Sequence, residues 1–333
     1  DIMELNDNKK IPITEALIKD LYIDLRKKVN KWSKITSQTP QARMGYVGQH
    51  LTSIVTGYPG GKSGARGYDL IIDQSHDKIS YAEIKTCYRV DQLGKCLTCG
   101  SVVSSLEKSC SFCNSTNIKR NDDSKWLITM LNENDLILTF EPDYYYFVLF
   151  EFQDISNPLN NNILTTIWRV KTTNPGFIMC MLDYYFNIRS KSKSKAPFNM
   201  WPHMLKYQLT KPVKIYQSII YEDDSIETLF LNNSNSEEDK LLDFTQYSSS
   251  NNLNLSTLHK IYELRHLEIP SKYEKKKKKL LEDIYIRIQK NMSNSDFADL
   301  VSYAMYYDRI KPFFGEIPTI TLEKIKNIED INF

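Results

Sequence analysis

Asp69, Glu83 and Lys85 are of the types, and at the spacing, that hydrolysis of a phosphodiester requires. Alternate residues of a strand project to one face, so Glu83 and Lys85 point the same way. A hairpin of strands 68–73 and 79–87, joined by the polar turn 74–78, would bring Asp69 beside them. Two carboxylates held that close repel each other unless a divalent cation lies between them. Oxygen ligands without a histidine favour Mg²⁺, with Mn²⁺ as a substitute, and the carbonyl of Ile84 is a further candidate ligand. Such an ion polarises a phosphate and lowers the pKa of a bound water. Lys85 would orient that water or stabilise charge on the phosphorane. A bare aspartate followed by Glu-x-Lys also describes an ordinary charged strand pair. The glycine-rich loop at 57–67 tips the balance, because its backbone lets a phosphate approach closely and Lys62 and Arg66 could bind it.

Immediately downstream, Cys96-x2-Cys99 and Cys110-x2-Cys113 have the spacing of a zinc ribbon or knuckle. Four protein thiolates close a tetrahedral shell, so the ion is expected to be structural Zn²⁺ without an open position for catalysis. DNA contact by this module, and a simple metal staple for a loop too small to hold a core, both remain open. Cys87 and Cys180 stand alone, a pattern that suits a reducing compartment and a metal rather than a disulfide framework.

The elements that must position these groups are readable from periodicity. Helices are expected at 13–36, with Leu17, Leu21, Leu25 and Val29 on one stripe, and at 40–56, with Met44, Val47, Leu51 and Val55. Strands are expected at 144–152, 165–171 and 214–221. Residues 232–256, rich in Asn, Ser, Asp and Glu, read as a linker. Helices follow at 259–265, 272–290 and 296–307, the last with Ser295 as its N-cap. The expected fold class is α/β (α+β): a catalytic domain over 1–231, with a zinc-ribbon insertion at about 91–120, and a helical C-terminal domain over 257–333.

With 333 residues, 25% charged and 41% hydrophobic, the composition is that of an ordinary globular protein of about two domains. A net charge of +2 excludes a generally basic surface, so DNA must be met by local patches. One is the alternating segment from Arg189 to Lys195 with the turn and aromatic residues 196–203 after it, either a solvated loop or one in which Arg189, Lys193 and Asn199 are candidates for phosphate or base-edge contact. The lysine run 275–279 is another, with plain solvation the alternative. The five histidines show no metal spacing. No apolar run approaches a membrane span and no secretory signal opens the sequence, so a cytoplasmic protein without a membrane partner is expected.

Residues 39–50 (Thr-Pro-Gln-Ala-Arg-Met-Gly-Tyr-Val-Gly-Gln-His), 64–69 (Gly-Ala-Arg-Gly-Tyr-Asp) and 83–93 (Glu-Ile-Lys-Thr-Cys-Tyr-Arg-Val-Asp-Gln-Leu) resemble the PD-(D/E)XK nuclease superfamily, and within it type II restriction endonucleases of the MamI-type family. The resemblance is strongest over 13–120. It implies a PD-(D/E)XK core in which Asp69 and Glu83 bind Mg²⁺ and Lys85 completes the catalytic site. Many relatives carry a glutamate on the helix before the first strand, and Gln49 stands in that place. Tyr68 replaces the proline that often precedes the aspartate. The resemblance also implies a double-stranded DNA substrate, an interrupted palindrome with GAT and ATC half-sites, and a prokaryotic restriction-modification system with a cognate DNA methyltransferase. One site per chain cutting both strands of a palindrome is most simply met by a homodimer. Two rival readings use the same residues: a structure-specific or repair-type nuclease, and a non-catalytic zinc-ribbon DNA-binding protein.

Overall fold

The computed structural model describes residues 2–41, 45–61, 67–75, 77–120, 123–154, 162–231 and 253–319. Asn6 starts the first helix, α1 (Asp7–Ile18), by accepting the Lys9 amide on its side-chain oxygen. A π-wound stretch, Lys19–Asp24, carries the chain into α2 (Leu25–Thr36). The buried line is Thr14, Ile18 and Tyr22, one position round from the Leu17–Leu21–Leu25–Val29 stripe expected from sequence, whose members are only half-buried. The Tyr22 ring takes the centre because it stacks on Phe150 at 4.4 Å. The helix expected over 40–56 is α3 (Gly45–Thr56), and of its expected face Val47, Leu51 and Val55 are buried, while Met44 lies outside the described residues.

The hairpin forms as expected: β1 (Leu70–Asp73) pairs antiparallel with β2 (Ser80–Tyr88), Leu70 opposite Ala82. A small sheet follows, made of β3 (Gly94–Cys96), β4 (Val102–Val103) and β5 (Ile118–Arg120) in the order β4-β3-β5. Next come β6 (Leu127–Ile128), α4 (Glu133–Phe140), β7 (Tyr144–Phe152), β8 (Ile163–Lys171), α5 (Pro175–Asp183), β9 (Phe198–Asn199) and α6 (Met204–Leu209). After β10 (Val213–Ile220) and β11 (Ile226–Leu231), three C-terminal helices are described: α7 (Leu255–Leu264), α8 (Lys277–Arg287) and α9 (Asn294–Ile310). The main sheet runs β1-β2-β7-β8-β10-β11. From Tyr145 to Phe150 every residue of β7 is buried, as a strand covered on both faces must be.

Two compact units result. The first comprises Asp1–Trp126, Tyr145–Arg169 and Lys214–Ser236 and contains the hairpin, the cysteine module and most of the main sheet. The second comprises Leu127–Tyr144, Val170–Val213 and Glu237–Phe333, in which α5 packs on α9. There Gly176 lies so close to the Leu209 carbonyl that an added Cβ would stand 2.0 Å from its oxygen. Buried Asp183 is paired with Arg309 at 2.8 Å.

Two C-terminal expectations are corrected. Ser293, not Ser295, caps α9: its backbone is extended and its Oγ accepts the Asp296 amide, while Ser295 instead receives the Lys211 ammonium. The single helix expected over 272–290 is α8 alone, flanked by 3₁₀ turns at Ser271–Tyr273 and Gln289–Asn291. The Glu274 carbonyl is taken by the His259 ring, which stops the first turn from running into the helix.

Candidate functional site

Asp69 immediately precedes β1 and is fixed from three directions. On one side Gly61 donates its amide to the Tyr68 carbonyl, and a Cβ at Gly61 would stand 2.6 Å from that oxygen. The carboxylate itself accepts the Ile84 amide on Oδ2 at 2.8 Å and the Gln49 side-chain amide on Oδ1 at 2.9 Å. Gln49 reaches it because α3 lies close over β2: its neighbour Gly48 faces Thr86, whose Oγ1 would be 2.0 Å from an added Cβ. A helix-internal glycine beside a polar residue was the sequence signal for this close approach.

Glu83 and Lys85 share one face of β2, their charged atoms 3.6 Å apart and both side chains partly buried. Burial first, and the Asp69 charge second, push the Glu83 carboxyl up to about 7, although Lys85 opposes the shift. The two carboxyls are close enough to hydrogen-bond, so near neutral pH Glu83 is held partly protonated beside Asp69. A group within that pair that needs either a proton or a cation fits a hard divalent ion. The amide and carbonyl of one strand residue leave on the same edge, so the Ile84 carbonyl faces the side on which its amide meets Asp69.

Aromatic residues wall this edge, and their place at the site has no signal in the sequence. Tyr68 packs on Tyr81 with ring centres 4.1 Å apart, and Tyr81 is two residues from Glu83 on the same strand. Tyr145 on β7 is buried, and that burial, with Glu83, Tyr81 and Asp69 adding to it, holds its phenol well above the ordinary range. It is therefore a neutral hydrogen-bonding group beside the carboxylates. The pairing of β7 with β2 that brings it there joins residues far apart in sequence and has no local signature.

The four cysteines converge. Their Sγ atoms all lie within 4.8 Å of one another, with Cys96–Cys113 and Cys99–Cys110 at 3.5 Å. Thiolates around a tetrahedral ion at about 2.3 Å stand about 3.8 Å apart, so the cluster fits zinc. The two halves repeat one turn. Gly100 and Asn114 follow the second cysteine of each pair in the left-handed region, at φ +80° and +58°, and their amides return to the carbonyls of Cys96 and Cys110. The Cys99 amide, first among several donors, draws Cys96 down to about 6, and the Ser101 hydroxyl draws Cys99 down. The Ser115 amide pulls Cys113 down too, yet burial and the three neighbouring thiols carry it up to about 12. Four thiols this close can bind together as thiolates only around a cation.

Of the DNA-contact candidates, Lys62 and Arg66 lie outside the described residues. Arg189, Lys193 and Asn199 are in the second unit. Arg189 donates to the Ser192 carbonyl at 3.0 Å, and Asn199 accepts the Trp201 amide at 3.2 Å, so both side chains hold their own turns. Lys193 is exposed. No described helix is long and apolar enough to cross a membrane.

The family model described as MamI restriction endonuclease matches residues 31–244, a span that includes the hairpin, the cysteine module and the described strands of the main sheet. Neither a curated protein nor a solved structure matches the chain.

Proposed function

The chain belongs to the MamI restriction endonuclease family, and from that premise we propose that it is a Mg²⁺-dependent type II enzyme whose catalytic residues are Asp69, Glu83 and Lys85. The supporting observation is a half-buried carboxylate pair, one member raised to about 7, with a lysine 3.6 Å from it on the same strand face. That arrangement is costly unless a cation and a phosphate complete it. We assign the hairpin and its flanking helix to a PD-(D/E)XK core.

Asp69, Glu83 and the Ile84 carbonyl are the residues that would hold the ion. When bound, it supplies Lewis acidity, polarising the scissile phosphate and lowering the pKa of a bound water. The rest of the work belongs to the chain. Lys85 is placed to orient the attacking water and to face the negative charge that the phosphorane gains. Gln49 and the Ile84 amide fix the Asp69 carboxylate, so it need not reorganise during the reaction. Tyr145 and Tyr81 exclude water from behind Glu83. Zn²⁺ at Cys96, Cys99, Cys110 and Cys113 holds the module that follows β2 and takes no part in chemistry.

The substrate we propose is duplex DNA with an interrupted palindrome of GAT and ATC half-sites, cut by a homodimer in the cytoplasm of a prokaryote that also makes the matching methyltransferase. Digestion of a sequenced plasmid tests this reading. Discrete fragments with Mg²⁺, none without it, and ends that map to one interrupted palindrome are the expected result. A smear would favour a non-specific nuclease, and intact plasmid with tight binding a non-catalytic DNA-binding protein.

A further inference from the structure

The outward face of the cysteine module's small sheet carries two lysines directly opposite each other. Lys95 on β3 is the register partner of Lys119 on β5, and Val102 on β4 is the partner of Lys95 on the other side. The burial pattern alternates cleanly. Gly94 and Cys96 are buried while Lys95 and Leu97 are exposed, and Ile118 and Arg120 are partly buried while Asn117 and Lys119 are exposed. The inner face packs Cys96, Val103, Cys110, Cys113 and Ile118 together, so the lysine row has nowhere to turn but outward. Arg120 shows what a paired cation looks like in this module, donating to the carbonyls of Gln92, Ser104 and Glu107.

Like charges directly opposite on antiparallel strands, with Cβ atoms about 4.5–5.5 Å apart, destabilise the pairing. Among the described residues no acidic group forms an ion pair with Lys95 or Lys119. Elsewhere in this unit, Lys34 is matched by Glu107 at 3.0 Å and Lys108 by Glu222 at 3.6 Å. Two exposed apolar side chains flank the pair, Val102 at 60% and Leu97 at 55%. A sheet too small to stand without its metal thus holds an uncompensated repulsion on its open face, beside apolar surface.

We propose that this face binds the sugar-phosphate backbone of duplex DNA, with Lys95 and Lys119 on successive or bridging phosphates and Val102 and Leu97 against the sugars. Charge complementarity selects the partner: a polyanion relieves the repulsion, and the alternation of charge with apolar surface matches phosphate alternating with sugar. The inference rests on the reading of the chain as a DNA-cutting enzyme. It adds a clamp outside the catalytic hairpin and makes the zinc ion serve DNA binding as well as folding. Phosphate binding of this kind carries no sequence information, so it would set affinity and leave the choice of site to other residues.

Lys95→Ser, Lys119→Ser and the double variant test it, each carrying its zinc. Binding to a cognate duplex and to a scrambled one is titrated in Mg²⁺-free buffer at several salt concentrations. Removing one lysine from its phosphate should flatten the log–log salt dependence by about 0.9 units, and the double variant should flatten it by about 1.8. Affinity should fall by the same factor for both duplexes, and the melting temperature should stay level or rise as the repulsion is removed. Equal affinity and salt slope in wild type and double variant would overturn the proposal, as would a weakening confined to the cognate duplex. A double variant that melts early or loses zinc would also count against it, because the pair would then be structural. Wild-type protein that cuts plasmid while the variants bind unchanged sinks only this inference; wild-type protein that binds no duplex sinks it and the nuclease reading together.

Discussion

The two clusters at residues 69–85 and 96–113 are neighbours in sequence and opposite in construction. The sulfur cluster is local: two copies of one turn, each closed by its own left-handed residue, bring four thiols within 4.8 Å. The oxygen cluster is assembled from afar, with Gln49 on α3, Asp69 before β1, Glu83 and Lys85 on β2 and Tyr145 on β7. One is coordinatively closed by its own chain. The other is left electrostatically strained, with a carboxyl raised to about 7. A closed site spends its binding energy on folding, whereas a strained one keeps it for the reaction. Damage to the first should therefore register in stability, and damage to the second in turnover.

The largest effect expected follows from breaking the sulfur cluster. Cys110→Ser removes a buried ligand, and structural zinc is worth on the order of 10 kcal/mol in metal-coupled folding. The module should lose its metal, become sensitive to limited proteolysis across 91–120 and carry cleavage down with it. Elemental analysis and proteolysis check this; full zinc occupancy in a stable Cys110→Ser protein would contradict it.

Next in size are Asp69→Ala and Glu83→Ala. Each should lower the cleavage rate by at least about a hundredfold, the scale of losing one preorganised charge-stabilising group. Zinc content should be untouched and DNA binding kept. Because Glu83→Ala removes one of two repelling carboxyls, its metal-free melting temperature should hold or rise, whereas Asp69→Ala also strips the acceptor from the Ile84 and Gln49 amides and should melt somewhat lower. A clear fall in the stability of Glu83→Ala would erase the contrast between the clusters.

The pH dependence sharpens it further. Glu83 is raised in the folded protein from 4.5 to about 7. Folding therefore favours its protonated form, and that contribution, present below pH 4.5, is lost as pH rises through about 7. Without divalent cation, stability should decline across this window, and Mg²⁺ should restore more of it the higher the pH. Apparent Mg²⁺ affinity should climb about tenfold per pH unit below 7, since one proton must leave for the ion to bind. Glu83→Gln should flatten both curves, as differential scanning at a series of pH values would show. A flat wild-type profile would mean that Glu83 is not raised.

Smaller again is Gln49→Ala. Losing one hydrogen bond to a charged group that positions Asp69 should cost about 1.5–3 kcal/mol in the cleavage step, roughly ten- to a hundredfold. Affinity for DNA should not move, and Gln49→Glu should shift the Mg²⁺ concentration needed for half-maximal rate. A changed affinity with an unchanged rate would place Gln49 in DNA contact instead.

The sequence disclosed the local features well. Strand alternation gave β2 with Glu83 and Lys85 on one face, and an unbroken apolar run gave β7 with the bounds found, Tyr144–Phe152. The cysteine spacing led to the cluster because each turn closes within its own few residues. What escaped were pairings made across the fold. Tyr145 meets Glu83 only because β7 pairs with β2, and the Lys95–Lys119 pair depends on the register of two short strands. The rotation of the buried face of α1 from Leu17 to Ile18 was hidden for a similar reason, since it is Phe150 that claims Tyr22. Position Ser295 looked like a cap on propensity alone, and the backbone turned two residues earlier at Ser293. That 127–144 and 170–213 fall in one compact unit with the C-terminal helices has no marker in composition.

The central claim is that Asp69, Glu83 and Lys85 cut DNA while the four cysteines only hold zinc. The most direct test is a plasmid digest with zinc-loaded wild type and Glu83→Gln side by side, with and without Mg²⁺, fragment ends being sequenced and zinc measured on the same samples. The account predicts discrete, Mg²⁺-dependent ends from wild type and intact plasmid from Glu83→Gln, at equal zinc content. Cleavage by Glu83→Gln at the wild-type rate, or cleavage by wild type that follows zinc and ignores Mg²⁺, would contradict it.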